Sequence, residues 1–247
     1  EIKGKKIALI IGNSSYEEPL ANALTNTESM RALMENLGFT VFAFTNLDQQ
    51  SLITAVQDFN KEIRDADSAL LYFTGYTYQT AVDGYILPVN TIVGSEEDLA
   101  YKGISLSDIF MRMSRSACPN TFVFMDTVSY RGFLEEYEEP KELRIPPEAK
   151  DMKGIYSLGT ISEPFFTNIE KPVTPLTAAL SDLLKTENTD IRILYGDIAK
   201  RALEESSGDQ VLQTSTTLFE DYYLLKTESF ITKEALQEEV MRSEAER

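Results

Sequence analysis

The chain has 247 residues, 43% of them hydrophobic and 26% charged, with a formal net charge of −17 at neutral pH. That is enough apolar material for one or two domain cores. So acidic a surface repels nucleic-acid phosphate and anionic lipid, leaving a protein or peptide, basic where charged, as the expected partner.

Histidine is absent and Cys118 is the only cysteine. An internal disulfide and a thiol-rich metal site are thereby excluded, and no Cys-His or Ser-His-Asp mechanism can be assembled from these residues. No metal or cofactor is expected. No run of about 18 apolar residues and no signal peptide is visible, so a soluble chain without direct membrane insertion is expected.

Residues 6–11 (KIALII) read as a buried strand ended by Gly12 and Asn13. Met30, Leu33, Met34 and Leu37 recur at helical spacing over 25–37, with Gly38 as the stop. A strand over 39–44 and a helix over 50–63 follow. Residues 68–73 (SALLYF) form the third strand, 84–89 a short extended piece, 105–115 a helix and 121–125 (TFVFM) the fourth strand. The polar stretch 129–151 is long for a loop inside a domain, and its segment from 135 to 150 is expected to be mobile. A strand over 153–158, helices over 175–184 and 191–204, and a final strand over 218–225 complete the body. Leu236 and Val240, four apart in the charged tail 232–247, predict a helix that packs on the body or joins a neighbour.

Strands alternating with helices specify an α/β fold, a mainly parallel sheet of about six strands flanked by helices on both faces. Ligands and chemistry in such folds belong at the carboxyl ends of the strands. Three segments lie there: 12–16, 74–78 and 126–130.

The sequence itself resembles a known clan. The opening IALIIGNSSYEEPLANALTNTESMRALMENLGFTV is similar to the start of the caspase, metacaspase and paracaspase clan. LLYFTGY, GYILPVN and FVFMDTV follow in the clan's order, then TPLTAAL and DQVLQTSTTLFEDYYLL. The resemblance implies a caspase-like (caspase-hemoglobinase) fold over 1–228, with a large-subunit-like region over 1–128, a linker over 129–151, a small-subunit-like region over 152–228 and a helical tail over 229–247. An Asp two residues before the nucleophile position places the chain nearer the metacaspases and paracaspases than the executioner caspases.

The departures carry the functional expectation. The clan's general base falls on Tyr76 and its nucleophile on Val128, 52 residues apart, in line with the clan's interval of roughly 50. Valine has no nucleophilic atom, and a phenol of ordinary pKa near ~10 is a poor base at neutral pH. The resemblance therefore implies a pseudo-peptidase, not an enzyme, that acts as an interaction, scaffolding or regulatory module. The alternatives are a hydrolase remodelled around Thr127 or Ser129 and a purely structural component of an assembly. The hydroxyls of Thr127 and Ser129 equally suit bonds to backbone in a tight turn. Asp126 is either the floor of a groove for a basic side chain, as the resemblance implies, or a group that caps a turn or bonds neighbouring N–H groups. Tyr76 either fills the imidazole's space or serves as a binding handle. Cys118, at the opposite end of its strand and about 25–30 Å away, is a structural cysteine. The acidic residues 135–139 read as a solvated loop.

Overall fold

The computed structural model of the chain describes residues 4–135, 138–168 and 170–245. In chain order it contains β1 (Lys6–Gly12), α1 (Asn22–Asn36), β2 (Thr40–Thr45), α2 (Gln49–Glu62), β3 (Ser68–Gln79) and β4 (Gly84–Ile86). Next come α3 (Leu99–Lys102), β5 (Ile104–Ser105), α4 (Leu106–Ser114), β6 (Thr121–Ser129), β7 (Gly154–Thr160) and α5 (Pro164–Thr167). The chain closes with α6 (Pro175–Leu183), α7 (Ile191–Glu205), β8 (Val211–Thr216) and α8 (Glu228–Ala245). The main sheet runs β2-β1-β3-β6-β7-β8, and β4 and β5 extend it beside β3. Along the main path only β7 and β8 pair antiparallel.

The continuous apolar runs make sense of this arrangement. Side chains alternate across a strand, so a strand covered on both faces needs apolar residues at every position. In β1, Ile7, Leu9 and Ile11 face the layer built by α2 and α4, while Ala8 and Ile10 face α1, α6 and α7. Burying each such large side chain stabilises the fold by about 1.5–3 kcal/mol. Local signals set the helix ends. Asp48 accepts the Ser51 N–H at 2.8 Å and starts α2. Gly38, at a φ of 81°, turns the chain out of α1.

Four expectations need correction. The last strand is Val211–Thr216, not 218–225. Leu218 and Leu224 are buried against the helical layer and Tyr222 bonds Ser68, so the apolar residues of 218–225 pack as an irregular crossing with one isolated bridge, Asp190 to Tyr223. β3 and β6 run on to Gln79 and Ser129, past the expected ends at 73 and 125. Their extensions, TGYTYQ and DTVS, are rich in the aromatic and β-branched residues that pleated ladders favour.

The segment expected to be mobile is partly built into the body. Leu143 and Ala149 sit in the core, the Arg144 N–H bonds the Gln79 side chain at 2.9 Å, and Pro147–Asp151 forms a 3-10 turn. Leu143 and Ala149 provide the apolar anchors that the loop's charge pattern obscured. Residues 136 and 137 of that segment, within the acidic loop, lie outside the described residues. Finally, the tail is helical and meets the body, while Leu236 and Val240 of the expected stripe are 58% and 54% exposed. The contact lies nearer its start, where Phe230 packs on Tyr223 and Glu234 pairs with Lys226. Residues 246 and 247 of the tail lie outside the described residues.

Candidate functional site

β3 and β6 are direct neighbours, and their register places Tyr76 opposite Val128. Adjacent strands lie about 4.8 Å apart, so two residues distant in sequence stand side by side. The three strand-end segments converge there on an open groove of about 1320 Å³, walled among others by Tyr16, Tyr76, Val128, Ser129, Tyr130 and Ile161. Leu87 and Val128, which line it, belong to a third apolar cluster that also holds Leu20 and Phe166.

Tyr76 is only 4% exposed. Its ring meets those of Tyr16 and Tyr130 edge-on, with centroids 4.8 and 5.8 Å away. Its N–H donates to the Tyr16 hydroxyl at 3.2 Å, and that hydroxyl donates to the Leu87 carbonyl at 2.8 Å. The hydroxyl of Tyr76 itself is buried and has no hydrogen-bond partner. Burial, then the carboxylates of Glu163 and Glu18 and the neighbouring Tyr130, pushes its pKa well up. It therefore stays protonated at neutral pH. Of the two expected roles for Tyr76, the packing among rings and the groove-facing position fit both.

The close approach of Tyr16 depends on Gly75, whose φ is 152° and whose added Cβ would lie 2.7 Å from the Tyr16 hydroxyl and 2.9 Å from Phe73. Gly75→Ala combines a backbone conformation that L side chains rarely adopt with overpacking. We expect it to cost roughly 2–5 kcal/mol in urea unfolding. A loss below about 1 kcal/mol would show that Tyr16 yields freely and that the tyrosine cluster is loosely held.

Two groove candidates prove to be interior groups. Thr127 is fully buried, donates to the Gly159 carbonyl at 3.0 Å and accepts from Thr77 at 3.0 Å. Its hydroxyl ties β6 to its neighbours and faces no ligand. Asp126 is also fully buried. Its Oδ2 accepts from the Thr174 hydroxyl, the Thr177 hydroxyl at 2.6 Å and the Thr177 N–H at 3.2 Å, and its Oδ1 accepts from the Gln210 amide at 2.8 Å. Burial raises its pKa, partly opposed by these bonds. Donors from α6 and the turn before β8 occupy the space a basic side chain would need, so Asp126 is neither a groove floor nor a turn cap. Ser129, half-buried, does line the groove. Cys118 is buried in the core ahead of β6, away from the groove, and burial raises its thiol pKa.

The groove wall also carries charge that the sequence reading missed. Glu17, Glu18, Glu139, Glu142, Glu163 and Asp209 face a single cation, Arg131. Arg131 pairs with Glu139 at 3.1 Å, and Asp209 accepts from the Ser162 N–H at 2.7 Å. Glu17 and Glu18 directly follow Tyr16, beside a segment already selected. Glu163 lies just beyond the last residue of β7, at the same end of the sheet. The strand-end rule, applied to every strand, would have found all three. Chemically, the arrangement offers an acidic rim, aromatic edges and one buried hydroxyl without a partner.

Comparison with known proteins is consistent with this frame. A family model described as the caspase domain matches residues 5–223. Over 87 residues, 34% of the chain, it is 31% identical to the mucosa-associated lymphoid tissue lymphoma translocation protein 1 homolog of Mus musculus and 29% identical to the Homo sapiens protein. Those stretches cover only 10% and 11% of the relatives. A solved structure titled as that of pro-sf-caspase-1 superposes with a TM-score of 0.67 at 14% identity, covering 92% of this chain and 93% of that one.

Proposed function

Given that this chain belongs to the caspase-domain family, we propose that it is a non-catalytic member that binds a protein or peptide in its strand-end groove. The observation that carries the reading is the pairing of Tyr76 with Val128 on a groove that stays open. The positions that would hold base and nucleophile are adjacent and apolar in character, while the surrounding wall is intact. A remodelled hydrolase is disfavoured because Thr127 is enclosed. Ser129, the remaining hydroxyl, has no lysine among the groove-lining residues to activate it. The acidic rim suits a basic segment and opposes an acidic one.

The test is capture of proteins from native extract by the wild type, by Ser129→Trp, which puts a bulky ring into the groove, and by Arg64→Glu, a surface change away from it. We expect Ser129→Trp to lose a saturably bound protein at least ten-fold while Arg64→Glu retains it, with near-ultraviolet circular dichroism confirming that both remain folded. Equal capture by all three overturns the groove as the interaction face and favours a purely structural role.

A further inference from the structure

β2 ends the main sheet on one side and, among the described residues, pairs with β1 alone. Successive residues of a strand point their N–H and C=O groups to opposite edges. Asn46, just past β2, donates its N–H to the Gly12 carbonyl at 3.0 Å. By that alternation Thr40, Phe42 and Phe44 turn toward β1, while Val41, Ala43 and Thr45 turn their N–H and C=O groups outward. Among the described residues nothing hydrogen-bonds these outward groups. Edge strands are commonly blunted by charges, proline or a bulge. The residues TVFAFT contain no charge and no proline, and their register against β1 runs without a break. β8, at the other end of the sheet, is polar in four of its six positions.

The side chains of β2 are also self-complementary. Val41 and Ala43 pack toward the α1 layer and Phe42 toward the α2 layer. Phe44 shares the face of Phe42 by alternation and is 38% exposed. Two antiparallel copies of β2 can bond only with outward groups opposite outward groups, so odd residues meet odd residues. With Ala43 on a two-fold axis, the smallest side chain meets itself and Val41 meets Thr45 of the second copy. Phe42 then meets Phe44 of the second copy, twice over, in the aromatic cross-strand pairing that stabilises sheets.

We propose that β2 is a docking edge for a second copy of this chain, and that two copies join β2 to β2 in an antiparallel, two-fold symmetric dimer. The occupant is a second copy because the strand matches itself in the only bonding register that centres Ala43. A pair of six-residue strands is smaller than a standard interface of about 1,200–2,000 Å², so the dimer is weak and reversible, with a Kd on the order of 10–100 µM. Each copy carries a net charge of −17, so the dimer tightens as salt screens the repulsion, the reverse of a contact held by ion pairs. No residue of β2 lines the groove, so this surface and the proposed groove function stand or fall separately.

The test is sedimentation equilibrium of the whole chain at about 10–300 µM. A monomer–dimer equilibrium is expected, tighter at about 0.5 M than at about 0.05 M sodium chloride. Phe44→Lys and Ala43→Pro should each weaken it at least ten-fold, with circular dichroism confirming that both remain folded. Lysine reduces the net negative charge, so its effect cannot come from added repulsion, and proline removes one outward N–H without touching the bonds to β1. Val211→Lys, on the β8 edge, should change the dimer less than two-fold. The register has its own readout. Paired residues that exchange hydrogen bonds have Cα atoms about 5.5 Å apart, within reach of a disulfide. In a Cys118→Ser background, Ala43→Cys should therefore form a linked dimer under mild oxidation, and Thr54→Cys, on the exposed side of α2, should not. The proposal is overturned by a monomer over the whole concentration range, by a dimer that Phe44→Lys and Ala43→Pro leave intact, by a dimer that Val211→Lys breaks, or by equal linkage through Thr54→Cys. A chain that stays monomeric but captures a different protein, lost in Phe44→Lys, would overturn the second copy and assign the edge to that protein's strand.

Discussion

Peptides with Arg, Lys or Asp before the scissile bond are expected to remain uncut by this chain, with or without calcium. Working enzymes reach kcat/KM values of ~10⁴–10⁸ M⁻¹s⁻¹. The value expected here is below about 1 M⁻¹s⁻¹, a difference of at least four orders of magnitude. The expectation of inactivity does not rest on the side chain of Val128 alone. No histidine exists anywhere in the 247 residues. Tyr76 keeps its proton at neutral pH because burial and nearby carboxylates oppose the phenolate. Thr127 donates its hydroxyl proton to Gly159. The measurement is fluorogenic peptide turnover by protein purified in two independent ways. Activity that follows the protein through both routes and vanishes in Ser129→Ala would sink the expectation.

The second large effect is on stability. Asp126→Ala is expected to destabilise the domain by roughly 2–5 kcal/mol, because the Gln210 amide and the Thr177 N–H cannot rotate away and would be left without acceptors, at about 1–3 kcal/mol each. At about 2–4 °C per kcal/mol, the melting temperature should fall by roughly 4–20 °C. Asp126→Asn should cost less. It keeps one oxygen for the threonine donors and turns its own NH₂ against Gln210, whose Oε1 is committed to the Leu176 N–H.

The two variants also test the protonation of Asp126. Its folded pKa is raised, so the stability that this carboxyl contributes is complete below its unfolded pKa of about 3.9 and is lost as pH rises through the folded value. The gap between wild type and Asp126→Asn should therefore narrow as pH rises from about 4. An Asp126→Ala variant within about 1 kcal/mol of wild type would mean that water reaches these donors, and that the enclosure around Asp126 is open in solution.

The frame was legible in the sequence because its signals are local. KIALII and TFVFM must be strands covered on both faces, and Gly38 ends a helix in the way glycine commonly does. The adjacency of Tyr76 and Val128 was legible for a different reason: it followed from the clan's order of motifs. The closure of Asp126 was not legible. Its donors come from Thr174, Thr177 and Gln210, which lie 48, 51 and 84 residues away. No property of DTVS indicates whether distant residues will meet its carboxylate or leave it open. The last strand was missed because VLQTST is half polar, as suits an edge strand, whereas the more apolar 218–225 packs under helices. The acidic rim was obscured by a net charge spread along the whole chain, which hides the few carboxylates that face one another.

Cys118 has a practical consequence of its own. The thiol is single in the chain, 8% exposed and raised in pKa by burial, within the layer that α2 and α4 lay over the sheet. An alkylating reagent can reach it readily only when that layer lifts. Reagents that silence cysteine peptidases by capping a groove nucleophile would therefore become, with this chain, a clock for how often the body of the molecule opens. The untagged wild-type protein thus carries its own reporter of breathing.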